Sequence, residues 1–166
     1  MILTTVVLWL HIFGAIGWLG GALVFGIVVG PGLARLSGPA RGEFFAKVAP
    51  NYVLFVEIFS GLTLVFGVIA VFTLGNGSMS IMSLSTPFGL YISIGAILAL
   101  VAVVLAYGVI VPSARKMIEI AQSLSKSPGP PPPEMTTASK RLRVGSTAAM
   151  VLLILVTIFM VAGATL

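Results

Sequence analysis

Residues 2–30 read ILTTVVLWLHIFGAIGWLGGALVFGIVVG and contain no Lys, Arg, Asp or Glu. A helix needs about 20 such apolar residues to cross the hydrocarbon layer of a bilayer, so this stretch is long enough to span it. It has no positively charged start and no small-residue cleavage site before Pro31. We therefore expect a retained membrane span here and not a signal peptide.

The composition of the whole chain is typical of an integral membrane protein. Hydrophobic residues make up 58% of the 166 residues and charged residues 8%, whereas soluble domains carry about 25% charged residues. Three more apolar segments are long enough to cross a bilayer. We predict an all-α bundle of four transmembrane helices in one membrane domain, with spans at residues 2–30, 51–73, 87–111 and 144–166.

Positive charges are confined to two connecting segments. All nine Lys and Arg residues lie in segments 31–50 and 112–143, and the 74–86 loop has none. Because cytoplasmic loops carry the excess of Lys and Arg, these two segments are predicted to be cytoplasmic and the 74–86 loop to be outside. Both termini then lie outside the plasma membrane. This distribution indicates topology, and we expect no nucleic-acid partner.

The segment 112–143 has two parts. Met117, Ile118, Ala121 and Leu124 recur at helical spacing, so we expect the third helix, interrupted at Pro112, to continue as an amphipathic extension. Residues 127–133 read SPGPPPP and predict an extended connector. A stiff spacer is favoured there over a motif that recruits a partner domain.

The ends of the first and third spans have similar sequences. Phe25-Gly-Ile-Val-Val-Gly-Pro31 and Tyr107-Gly-Val-Ile-Val-Pro112 both place an aromatic-Gly pair and branched residues before a proline. The similarity is compatible with two repeated helical hairpins. A second explanation is equally good. The inner edge of the membrane favours a proline that ends the helix and an arginine that anchors it, in each span independently.

His11 is the only histidine in the chain. It lies within a predicted span, where ionisable side chains are rare and frequently functional. Trp18 shares its helix face, and the nearby glycines allow another helix or a flat ligand to approach closely. Two interpretations stay open: a ligand or proton-transfer residue, and a structural histidine hydrogen-bonded inside the bundle.

Met160 is the soft donor that depth counting along the helices places in the same layer as His11. Imidazole and thioether together suit the iron of haem b or Cu(I), although filling of the core also explains a methionine. A bis-histidine haem needs two chains, and so a homo-oligomer. Arg35 and Arg115 end the first and third helices, either as topology anchors or as a pair that holds an anionic group such as a porphyrin propionate.

Glu57 is the other ionisable residue within a predicted span. It lies on the order of 15 Å from His11 along the membrane normal, which is too far for an ion pair. A hydrogen bond of a protonated Glu57 with Tyr107 or Ser60 is favoured over a role as a second station on a proton or cation path.

Several chemistries are excluded by residue type. The chain has no cysteine, which removes disulfides and thiolate metal sites, and no aspartate, which removes a Ser-His-Asp triad. It has no phosphate-cradling loop and no HExxH motif. These residues indicate no particular reaction, so enzymatic activity stays undecided.

The first helix contains a motif that consists of Leu10-His11, six further residues, and then Trp18-Leu-Gly-Gly21. This motif resembles the first-helix signature of the copper-resistance D-like membrane family and of the related protoporphyrinogen oxidase J type. The matched residues are His11, Trp18, Gly20 and Gly21. The resemblance implies haem or copper handling at His11, while the absence of a second histidine departs from the pattern. Two alternatives are an accessory subunit of a larger membrane complex and a small proton- or cation-coupled transporter that uses Glu57 and His11.

Overall fold

The computed structural model describes residues 2–127 and 129–165. These residues form five helices and no strand, with a short 3-10 turn at Ser80–Met82. The helices are α1 (Ile2–Arg35), α2 (Gly38–Lys47), α3 (Ala49–Leu74), α4 (Pro87–Lys126) and α5 (Pro133–Ala164). All except α2 are long and apolar enough to cross a membrane. The prediction of an all-α, four-helix membrane bundle is confirmed, and the protein is an integral membrane protein.

Large apolar side chains cover the outside of the long helices. Ile2, Trp9 and Val104 have exposed fractions of 84%, 72% and 72%. In water this exposure would be unfavourable, but the hydrocarbon of a bilayer is as apolar as these side chains. The exposed faces are therefore the faces that contact lipid.

Two helices continue past prolines that the sequence predicted to end or interrupt them. α1 runs through Pro31 to Arg35, and α4 runs through Pro112 to Lys126. A proline in a helix lacks the N–H group, and its ring collides with the carbonyl four residues earlier. Both helices accommodate this with a wider π-helical turn just before the proline, at Val24–Val29 and at Ala106–Ile110.

The two π turns have the same hydrogen-bond pattern. The N–H of Gly30 donates to the carbonyl of Phe25, and the N–H of Val111 donates to the carbonyl of Ala106. Both bonds span five residues, which is the π-helical spacing. The two segments with similar sequences therefore also share a backbone conformation.

The predicted connecting segments are largely helical. α2 lies within segment 31–50, where Ser37 Oγ accepts a hydrogen bond from the N–H of Ala40 at 3.5 Å. α5 begins at Pro133, well before the predicted start of the fourth span at 144, and a proline is well tolerated at this first helical position. Residues 129–132 form a non-helical connector, as predicted, and Pro128 lies outside the described residues.

Arg41 closes the turn between α1 and α2. Its Nε donates to the carbonyl of Leu33 at 3.0 Å, and its Nη2 donates to the carbonyl of Leu36 at 3.1 Å. Carbonyls at the end of a helix have no partner within the helix, and a positive charge there also complements the helix dipole. Arg41 therefore caps α1. The sequence analysis counted Arg41 only among the positive charges that indicate topology and did not predict this role.

The chain packs as two compact units. The first unit consists of Met1–Gly20, Glu57–Ala102 and Val151–Leu166, and the second of Gly21–Val56 and Val103–Met150. The core of the second unit contains the following residues: Leu33, Phe45, Ala49, Val53, Val111, Ala114, Met117, Ala121, Ala138 and Leu142. Because Ala114, Met117 and Ala121 come from the end of α4, the predicted amphipathic extension is confirmed.

We expect Met117→Ala to destabilise the protein. The side chain of Met117 is 2% exposed in the core of the second unit, and its truncation removes packing and leaves a cavity that costs about 2–5 kcal/mol of unfolding free energy. Met79→Ala is the matched control, because Met79 is 57% exposed and should change the unfolding free energy by less than about 0.5 kcal/mol. Unfolding in detergent followed by circular dichroism measures both, and equal effects would contradict the assignment of Met117 to the core.

Candidate functional site

His11 is hydrogen-bonded to the main chain of α3. Its Nδ1 lies 2.8 Å from the carbonyl oxygen of Thr63. Because a carbonyl oxygen only accepts, Nδ1 must carry the hydrogen and donate it. In a neutral imidazole the other nitrogen, Nε2, then keeps an unprotonated lone pair. The bond thus fixes both the orientation of the ring and the nitrogen that is able to bind a ligand.

The Nε2 atom of His11 is not used by the fold. In residues 2–127 and 129–165, the hydrogen bonding of His11 is confined to Nδ1. Every fully buried side-chain nitrogen or oxygen in that part of the chain has a partner, so the unbonded Nε2 keeps accessible surface. Histidines that bind metals typically donate their other ring N–H to a carbonyl or carboxylate in this way.

Gly67 provides the space in which the imidazole lies. A Cβ atom at Gly67 would lie 2.9 Å from Cε1 and 3.0 Å from Nδ1 of His11, which is closer than carbon atoms pack. The ring therefore crosses α3 over Gly67 and reaches the carbonyl of Thr63 one turn earlier. The sequence analysis missed Thr63 and Gly67, and a glycine inside an apolar helix was the single signal that pointed to this position.

Two glycines of α1 bring this helix against α3. A Cβ atom at Gly14 would lie 2.7 Å from the main-chain nitrogen of Thr63, and the ring of Phe59 occupies the space where a side chain at Gly17 would be. Close helix packing therefore explains both residues. Around Gly20, in contrast, no atom of the described residues lies within 4 Å of a Cβ position. Trp18, which was predicted to shape the site, is 3% exposed and lies in the same unit as His11.

Met160 packs on α4. A Cβ atom at Gly95 would lie 3.0 Å from Cε and 3.3 Å from Sδ of Met160. Its neighbours Ile158 and Val161 line an open apolar groove of about 450 Å³ together with Leu19 of α1. Leu19 is eight residues, or about 12 Å along the helix axis, from His11. The thioether of Met160 therefore packs against Gly95, and its role as a partner of His11 stays a prediction.

Glu57 begins a polar stripe on α3. It is half-buried and lies ten residues before Gly67, about 15 Å along the helix axis. Ser60 Oγ donates to the main-chain carbonyl of Glu57 at 3.2 Å, and Thr63 Oγ1 donates to the carbonyl of Phe59 at 2.7 Å. Both hydroxyl residues are buried. The stripe ends at the carbonyl that binds His11.

The remaining predicted site residues belong to the second unit. Arg35 ends α1 and is exposed, and Tyr107 is 42% exposed within the π turn of α4. The part of the chain that the structure describes holds no group of three or more His, Cys, Asp or Glu side chains placed to bind a metal ion.

No protein-family model matches the sequence, and comparisons with curated proteins and with solved structures give no match either. The resemblance of His11, Trp18, Gly20 and Gly21 to the copper-resistance D-like and protoporphyrinogen oxidase J families stays a prediction.

We expect Gly67→Ala to displace His11 from Thr63, because the added methyl group would collide with the ring. Loss of this hydrogen bond should lower the unfolding free energy by about 1 kcal/mol. Since the chain has one histidine, ¹⁵N NMR of histidine-labelled protein reports the tautomer of His11 directly, with Nδ1 protonated in the wild type.

Gly61→Ala is the control on the same helix, because none of the described atoms lies within 4 Å of its Cβ position. Its histidine spectrum should match that of the wild type. An unchanged spectrum for Gly67→Ala would contradict the docking of the ring over Gly67.

Proposed function

We propose that this membrane protein binds haem b through Nε2 of His11. The supporting observation is the 2.8 Å hydrogen bond from Nδ1 to the carbonyl of Thr63. This bond holds the neutral ring in the tautomer that a metal ligand needs, and a ring already held in place loses little freedom on binding. The resemblance of the first helix to families associated with haem or copper points in the same direction.

The donor atoms favour haem over copper. Haem iron is already held by four porphyrin nitrogens, so a single axial imidazole is able to bind it. Cu(I) depends on soft protein donors for its whole coordination. His11 is the one imidazole of the chain, cysteine is absent, and Met160 is directed towards Gly95. These residues fit an axial ligand better than a copper site.

The surroundings of His11 suit an apolar macrocycle. Leu8, Ile12 and Ala15 are apolar and flank His11 on α1. Such an apolar surface is chemically compatible with the faces of a porphyrin. When bound, haem would supply one-electron chemistry, and this chain would hold it through the imidazole of His11.

The charge distribution supports placing α2 and the α4–α5 connection in the cytoplasm and both termini outside the plasma membrane. His11 then lies in the outer half of the bilayer, within three turns of the start of α1. This position gives haem access from the outer side of the membrane.

A proton-coupled transporter is the second candidate, and the polar stripe on α3 favours it. Glu57, Ser60 and Thr63 recur every three residues and lead along one side of the helix to His11. Ionisable residues within a membrane commonly mark proton paths. However, the hydroxyl groups of Ser60 and Thr63 donate to carbonyls of their own helix, an arrangement that also satisfies them without any transport.

We expect His11→Ala to abolish haem binding, because it removes the one axial nitrogen. Purified protein is titrated with haemin, reduced, and followed through its Soret absorption. Met160→Leu is the control, since it keeps an apolar side chain of similar volume against Gly95 and should bind haemin as the wild type does. Equal Soret bands for His11→Ala and the wild type would refute the proposed ligand.

We expect Glu57→Gln to bind haemin with wild-type affinity, because Glu57 lies six residues, or about 9 Å along α3, before the residue whose carbonyl binds His11. The same variant in liposomes, measured with a pH-sensitive dye, separates the two candidates. Proton flux in the wild type that disappears in Glu57→Gln would favour the transporter, whereas equal dye responses favour the haem protein.

A further inference from the structure

We infer that α5 binds the headgroup of an anionic phospholipid through Lys140, Arg141 and Arg143, which we call the basic patch. The inference concerns the second unit and is independent of the haem binding proposed for His11. The three side chains are exposed, and they come directly before the uncharged stretch 144–166. The basic patch therefore lies where the helix enters the hydrocarbon layer, at the level of the lipid headgroups.

The three cations share the face of α5 that is turned away from the core of the second unit. Leu142, between Arg141 and Arg143, is 6% exposed, as is Ala138 one turn earlier, and both belong to that core. At about 100° per residue, the three cations spread over an arc of about 160° whose centre is opposite Leu142. Packing of Leu142 inside the unit thus holds all three positive charges on one outer surface.

Other cations of this unit are already used by the fold. Lys47 pairs with Glu43 at 2.7 Å, and Lys116 pairs with Glu119 at 3.2 Å. Arg41 donates to carbonyls at the end of α1. The side chains of the basic patch, in contrast, make no hydrogen bond and no ion pair with residues 2–127 or 129–165.

The nearest acid along α5 does not compensate these charges. Glu134 lies six residues before Lys140, whereas side chains on a helix meet when they are three or four residues apart. The basic patch therefore presents three uncompensated positive charges at a membrane edge. An anion from outside the chain is the partner that this surface fits.

The residues that follow the basic patch favour a lipid over a soluble anion. Val144, next to Arg143, is 57% exposed, and Ala148, one turn further along the same face, is exposed as well. Between them, Thr147 Oγ1 donates to the main-chain carbonyl of Arg143 at 3.1 Å, which satisfies the hydroxyl without water. The outer face of α5 thus changes from cationic to apolar within one turn, in the order of a phosphate and its acyl chains.

The chemistry of the side chains also favours a headgroup with net negative charge. The guanidinium groups of Arg141 and Arg143 are able to bind phosphate oxygens through two parallel hydrogen bonds, while Lys140 adds a point charge. A choline headgroup carries its own cation, which three neighbouring positive charges repel. Clusters of Lys and Arg beside a transmembrane helix accordingly select anionic lipids.

The test is a titration of the full-length protein in a neutral detergent with phosphatidylglycerol or phosphatidylcholine of identical acyl chains, with bound lipid counted by native mass spectrometry. We expect the wild type to bind phosphatidylglycerol at least about tenfold more tightly. The triple variant Lys140→Gln, Arg141→Gln, Arg143→Gln should lose on the order of a hundredfold in affinity for phosphatidylglycerol, or about fivefold for each cation. Equal affinity of the wild type for both lipids, or of both proteins for phosphatidylglycerol, would overturn the inference.

The matched control removes three positive charges elsewhere in the same unit, through Lys47→Gln, Lys116→Gln and Lys126→Gln. Its affinity for phosphatidylglycerol should stay within about twofold of the wild type, because these side chains lie outside the basic patch. A loss as large as that of the first triple variant would reduce the effect to net charge and refute the site. The single variant Arg141→Gln, with an expected loss of about fivefold, decides the question even if the triple variant does not insert.

A competition experiment separates the lipid from a soluble anion with the same chemistry. Sodium phosphate and sodium chloride are compared as competitors of phosphatidylglycerol at equal ionic strength. We expect both salts to weaken binding equally, through screening alone, because phosphate lacks the acyl chains that contact the apolar part of the face. Selective displacement by phosphate would assign the basic patch to a soluble phosphate and overturn the lipid site.

Discussion

The hydrocarbon layer offers no hydrogen bonds, so every polar group of a spanning chain needs a partner inside the protein. This constraint explains features that sequence rules for soluble proteins do not. The helices pass through Pro31 and Pro112 by π turns that keep the neighbouring N–H groups bonded. Ser60 and Thr63 donate to carbonyls of their own helix. The N–H of the His11 imidazole obeys the same constraint, and it finds the carbonyl of Thr63.

The contact between α1 and α3 depends on residues without side chains. Gly14 and Gly17 allow the two backbones to approach, and Gly67 leaves room for the imidazole. In the second unit, Tyr52 of α3 donates to the carbonyl of Gly21 on α1 at 2.8 Å. Both units therefore use a side-chain donor that reaches a main-chain carbonyl of the facing helix. Helix packing and the position of the candidate ligand are consequently set by the same few glycines.

Hydropathy was sufficient to predict the fold class, because four long uncharged segments have few alternatives to membrane helices. Helix ends were less predictable, since the sequence does not reveal that a π turn will carry a helix past a proline. His11 was recognised from its rarity in a span, but Thr63 and Gly67 were not, because their role depends on the register between α1 and α3. Depth counting assigned Met160 to a layer of the membrane, but it did not predict the side-chain neighbour, which in the structure is Gly95.

The structural and the ligand-binding interpretations of His11 are not exclusive, because they use different nitrogens. Nδ1 satisfies a polar group in hydrocarbon and holds α1 against α3, which any buried histidine would need to do. That need would be met equally by a serine or threonine, which bond to helix carbonyls elsewhere in α3. An imidazole adds one thing that these residues lack, a second nitrogen with an unprotonated lone pair. This second nitrogen is the atom that the proposed haem binding would use, while Nδ1 keeps its structural role.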